Sequence, residues 1–179
     1  MTTSVLQNLV DEYDRSLLYT ESLLEGLTPD QVAWRPEAES SAIGWHLGHQ
    51  GAVSHFMLRN LTAAEPSIDT DIDALMDSAT PERDRGQLPS LDRIHEYRSV
   101  VAERVRYRIR QIDAGEIGSP NHLPLIATTM LSAIINHEYQ HSKWIGEVRN
   151  DTFGFALPAN PVSPCLSTAD GYVMITAPG

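Results

Sequence analysis

Apolar residues recur three and four positions apart along four long stretches of this chain, a spacing that fits the helical turn and not the two-residue period of a half-buried strand. The first stripe is Leu6, Leu9, Val10, Tyr13, Leu17, Leu24 and Leu27. Thr28-Pro29-Asp30-Gln31 reads as a capping box with proline at the first helical position, opening a short helix through Trp34 that Pro36 stops. Ser40 or Ser41 is placed to cap a second long helix, running to about Leu61. Residues 62–89 turn acidic and proline-bearing, which predicts a crossing connection with one short helix near 72–76. Ser90 caps a third helix, striped by Ile94, Tyr97, Val101, Val105, Ile109 and Ile112 and ended by Gly115, Gly118 and Pro120. The fourth starts near Leu123, tolerates Pro124 in its first turn and continues to about Arg149.

Four amphipathic helices in series predict an all-α fold, a four-helix bundle over residues 1–149. A tail of glycine, proline and small residues follows over 150–179, irregular except for a candidate strand at 172–176 and able to lie across the bundle. The 179 residues suit one core, and 41% hydrophobic against 21% charged residues supplies the apolar material to build it.

Thirteen Lys and Arg stand against 24 Asp and Glu, a net charge of −11, so no nucleic-acid partner is expected of a chain without clustered cations. The first residues carry no basic, apolar secretion pattern, and no run approaches the roughly 20 apolar residues of a membrane span. The single cysteine, Cys165, cannot form an internal disulfide. A cytoplasmic protein with a small-molecule substrate is expected, with a homodimer as the assembly in view.

Helical rotation of about 100° per residue sets where each histidine points. With His137 at 0°, Met130 falls near 20°, His141 near 40°, Ile134 near 60° and Ile145 near 80°, so by this roughly 100° step both histidines enter the buried stripe. Imidazoles four residues apart stand about 6 Å apart along one helix face and can share a metal ion. With His49 at 0°, Trp45 falls near −40°, Phe56 near −20°, Ala42 near 20° and Val53 near 40°, about the centre of the core face. His46 flanks that face near 60° and is the reserve ligand; His55, near −120°, is expected to meet solvent by the same roughly 100° step. One inward histidine is ordinarily a hydrogen-bonded core residue. Three leave several buried ring nitrogens needing partners, and a shared cation satisfies them together. Three protein ligands leave coordination positions open, the mark of a catalytic site; imidazole suits zinc, copper, iron and nickel alike.

His137-Glu138-Tyr139-Gln140-His141 also matches the H-E-x-x-H pattern of metalloproteases. The metzincin form places a glycine where this chain has Trp144, and no histidine follows His141, so a protease is not expected. Glu138 lies at the stripe's edge, where it can orient a ligand or exchange protons with substrate. Arg104, Arg106, Arg108 and Arg110 spread around their helix as a solvated face. Tyr13, Tyr97, Trp34 and Trp45 read as core anchors, and Cys165 as a bystander.

The segments Leu27-Thr28-Pro29-Asp30-Gln31-Val32-Ala33-Trp34-Arg35-Pro36, Ile43-Gly44-Trp45-His46-Leu47-Gly48-His49 and Asn136-His137-Glu138-Tyr139-Gln140-His141 resemble the DinB superfamily, the DinB/YfiT-like metalloenzymes, over about residues 5–149. That resemblance implies a four-helix bundle with a three-histidine metal site. The second and third segments are most similar to the amino-terminal domain of the iron-dependent sulfoxide synthases of ergothioneine biosynthesis, which implies His49, His137 and His141 as ligands. Those synthases carry a second, formylglycine-generating-enzyme-like domain with no counterpart in these 179 residues, so sulfoxide synthesis by this chain alone is not expected. Stand-alone relatives include thiol S-transferases and isomerases. The expected function is therefore thiol-dependent transfer or isomerisation at a divalent ion, zinc, iron or nickel, with a low-molecular-weight thiol as cosubstrate. Oxygen-dependent chemistry at ferrous iron and non-catalytic metal or small-ligand binding are the alternatives.

Overall fold

All four expected long helices form. The computed structural model describes residues 2–62 and 65–159, so the expected strand at 172–176 and Cys165 lie outside the described residues. Among the described residues the structure is helical without strands: α1 (Val5–Ser22), α2 (Pro29–Ala33), α3 (Ile43–Thr62), α4 (Thr70–Leu75), α5 (Leu91–Asp113) and α6 (Leu123–Glu147), with a 3₁₀ turn at Glu82–Asp84 and a π-helical turn at Val148–Thr152. This is the all-α class read from the periodicity. No described helix is long and apolar enough to cross a membrane. The described residues divide into two compact units, one joining those up to Leu23 to those from Arg104 onward, the other running from Leu24 to Glu103.

In the first unit α1 packs along α6. Ser4 caps α1, its hydroxyl accepting from the Gln7 N–H at 3.0 Å. The buried line of α1 runs Leu6, Leu9, Val10, Tyr13, Ser16, Thr20 and then Leu23, not through Leu17 and Leu24 as its apolar pattern predicts. The departure has a chemical cause: the face of α6 opposite Thr20 carries Glu138 and Ser142, and buried polar atoms draw hydroxyls to them. α6 holds Pro124 in its first turn, as expected, and its last turn widens into the π segment. There Arg149 is buried, donating to the Leu23 carbonyl at 2.9 Å and lying 4.9 Å over the Phe155 ring.

In the second unit the α2 capping box forms in both directions, Gln31 N–H to Thr28 Oγ1 at 3.3 Å and Thr28 N–H to Gln31 Oε1 at 2.9 Å. Trp34 just beyond it is 37% exposed, so it is not the core anchor expected. Neither Ser40 nor Ser41 caps α3. The Ala42 carbonyl takes its first bonds, from Trp45 and His46, and Ser41 Oγ accepts from Arg85 instead. Ser90 caps α5 as expected, and the whole stripe from Ile94 to Ile112 is buried.

Two of the α3 assignments reverse. His55, expected in solvent, is 1% exposed, while Phe56, expected in the core, is 64% exposed. The reason is glycine. Gly44, Gly48 and Gly51 share a side of α3 with His55 and let Val32 and Leu88, Met76, and Tyr97 and Arg98 come close enough to bury it. A Cβ on Gly48 would stand 2.6 Å from Met76 Sδ. Glycines carry no apolar signal, so the periodicity credited the wrong side.

α4 is short and depends on its cap. Asp69 Oδ1 accepts from the Asp71 and Ile72 N–H groups, both at 3.1 Å, and Arg93 grips the same carboxylate. An Asp69→Ala variant is expected to lose about 0.5–2 kcal/mol of stability through the cap. Urea denaturation monitored by circular dichroism measures it, and an unchanged midpoint would contradict the assignment.

Candidate metal centre

His49 is set by its surroundings before any ligand arrives. α3 carries it at 5% exposure, its Nδ1–H donating to the Met76 carbonyl at 2.6 Å. A carbonyl only accepts, so this bond places the ring hydrogen on Nδ1 and the lone pair on Nε2. Burial lowers the His49 pKa below the ordinary imidazole value and so favours the neutral ring that a cation needs. Trp45 stacks on the imidazole at 4.5 Å and 13°, and its Nε1–H donates to the Leu75 carbonyl at 3.1 Å. Arg85 closes the stack, 4.3 Å over Trp45, itself held by the Thr80 and Ser78 carbonyls. Both restraints on His49 therefore depend on Leu75 and Met76 at the end of α4.

α6 brings the other two histidines together, one helical turn apart, with ring centroids at 4.4 Å and planes at 48°. His141 is buried, edge-on to Trp144 at 4.8 Å, and His137 is half-buried. Between them Glu138 is 1% exposed rather than at an open edge. Its Oε1 accepts from Thr20 Oγ1 at 2.7 Å, and Thr20 Oγ1 also lies 2.7 Å from Ser142 Oγ. Thr20 has one proton, and the carboxyl group is the strongest acceptor within reach. The hydroxyls then run in series, Ser142 donating to Thr20 and Thr20 to Glu138.

One ring nitrogen each from His49, His137 and His141 lie within 4.8 Å of one another, the three residues expected from helical rotation. Nitrogens bound to one tetrahedral ion at about 2.1 Å sit about 3.4 Å apart. The donor chemistry fits a divalent metal: three imidazoles, at least one with its second nitrogen already held by a carbonyl. His46, the reserve ligand, is not in the cluster.

A cavity of about 320 Å³ opens in the second unit with His49 in its wall, joined by His55, Phe56, Arg59, Asp73 and Asp77. Tyr97, read as a core anchor, donates its hydroxyl to Asp73 at 2.6 Å, and burial above all raises its pKa far beyond the usual phenol range. Thr20, Ser142, His55, Asp73 and the Met76 carbonyl were missed from the sequence. Ser16 and Thr20 left one trace, occupying the next positions of the α1 stripe after Tyr13; a backbone carbonyl leaves none.

The family model of the DinB superfamily matches residues 12–145, most of the described chain. No curated protein matches significantly.

Proposed function

The chain belongs to the DinB superfamily, and on that premise we propose that it is a metal-dependent enzyme acting on a small molecule through a thiol, by S-transfer or thiol-assisted isomerisation. The observation that carries the reading is the approach of the His49, His137 and His141 ring nitrogens to within 4.8 Å. A divalent ion held by them would supply Lewis acidity, lowering the pKa of a thiol so that the nucleophilic thiolate exists at neutral pH. The chain's own part is positional. Met76 and Trp45 hold His49 at one tautomer and one ring angle, and α6 holds His137 and His141 in register. In this reading Glu138, fixed by Thr20, steadies the turn of α6 between the two ligands and stands beside them as the candidate proton-exchanging group. A reducing cytoplasm, where small thiols are abundant, suits such a reaction.

The test is metal analysis of protein purified without added metal, followed by assay of thiol conjugation to an electrophile. Zinc or nickel with thiol-dependent conjugation is expected. Iron with thiol-dependent oxygen uptake would replace transfer by oxygen chemistry, and a tightly held metal inert to thiols would make the protein a binder.

Metal affinity is expected to fall in acid, since each imidazole must be neutral to bind. The His49 pKa lies below the ordinary value of about 6.5, so its proton competes only in solution more acid than that. Equilibrium dialysis against zinc should show affinity declining as pH drops below about 6.5; affinity that rises on acidification would contradict the ligand set.

A further inference from the structure

We propose that the thiol this protein takes carries an ammonium group, bound in the cavity beside His49 with Asp77 as its counter-charge. The inference rests on the preceding reading, that a thiol meets a metal at His49. It adds what the cavity wall selects. The volume, about 320 Å³, lies at the low end of the roughly 300–1,000 Å³ typical of small-molecule sites and suits a small ligand over a peptide.

Charge decides the rest. The wall holds one guanidinium, Arg59, and two carboxylates, Asp73 and Asp77. Arg59 is already engaged, its Nε–H donating to the Glu65 carbonyl at 2.9 Å and its Nη1 standing 3.9 Å from Asp73. Asp73 is engaged in turn by the Tyr97 and Ser67 hydroxyls. That pair cancels, leaving Asp77. Its Oδ1 accepts from the Ala79 N–H at 2.7 Å, which orients the carboxylate, and it joins no ion pair among the described residues. Phe56, 64% exposed and in the same wall, adds an aromatic surface that attracts cations. A ligand with a thiol at one end and an ammonium at the other matches a wall that offers a candidate ligand histidine, a carboxylate outside any described ion pair and an aromatic ring.

The test titrates cobalt-loaded protein with cysteamine, 2-mercaptoethanol and 3-mercaptopropionate, following the thiolate-to-cobalt absorption band. Cysteamine is expected to bind about fivefold more tightly than 2-mercaptoethanol, the upper end for an exposed charge pair, and 3-mercaptopropionate more weakly than either. Asp77→Asn should remove the preference while leaving cobalt content and 2-mercaptoethanol affinity unchanged. Equal binding of the three thiols, or a preference for 3-mercaptopropionate, overturns the proposal with the metal reading intact. Absence of the absorption band with every thiol overturns the metal–thiol reading instead. The ammonium site is then judged with ethanolamine on metal-free protein by nuclear magnetic resonance: shifts at Val53 and Phe56 in the wild type that vanish in Asp77→Asn support it, and no shifts refute it.

Discussion

A chain carrying both His137→Ala and His141→Ala is expected to lose metal binding altogether while keeping its helices. The two rings supply two of the three nitrogens of the cluster, and one remaining imidazole does not hold a divalent ion at micromolar concentrations. Removing an outer partner of a ligand costs about 10–100-fold in affinity, and removing two ligands must cost more. The fold should survive, because His137 is half-buried and His141 packs edge-on against a partly exposed Trp144. Dialysis against zinc with elemental analysis reads the first half, and circular dichroism the second. Metal retained at the wild-type ratio would remove these residues from the site.

Thr20→Val is expected to destabilise the protein by about 1–3 kcal/mol, since a buried acceptor that loses its donor bears its full desolvation cost. Thr20 is wholly buried, and its hydroxyl joins Ser142 to Glu138. Valine keeps the shape and removes that link. The cost should be partly recovered in Thr20→Val combined with Glu138→Leu and Ser142→Ala, because the acceptor and the hydroxyl that Thr20 joins are removed with it. Urea unfolding of the two variants measures both effects. Equal loss in both would make the network incidental and assign the damage to packing.

The helices were legible because their signals repeat: the stripe of α5 from Ile94 to Ile112 states one face six times. His137 and His141 were legible for the same reason, being one turn apart on such a stripe. His49 was found by a rotation that misjudged its helix, for α3 is buried chiefly on its glycine side and His49 borders the exposed one. That error put His55 in solvent and Phe56 in the core. Thr20 and Ser16 were hidden because a polar interior breaks an apolar stripe without changing its period. The His49 restraint was beyond reach: the Met76 carbonyl belongs to every residue type, and only the fold brings it to the ring.

The proposed three-histidine centre is tested most directly by X-ray absorption spectroscopy at the metal edge, on zinc-loaded wild-type protein and on His49→Ala. Three imidazole nitrogens at about 2.0–2.1 Å are expected in the wild type and two in the variant. A wild-type spectrum without imidazole scattering, or one that His49→Ala leaves unchanged, would contradict it.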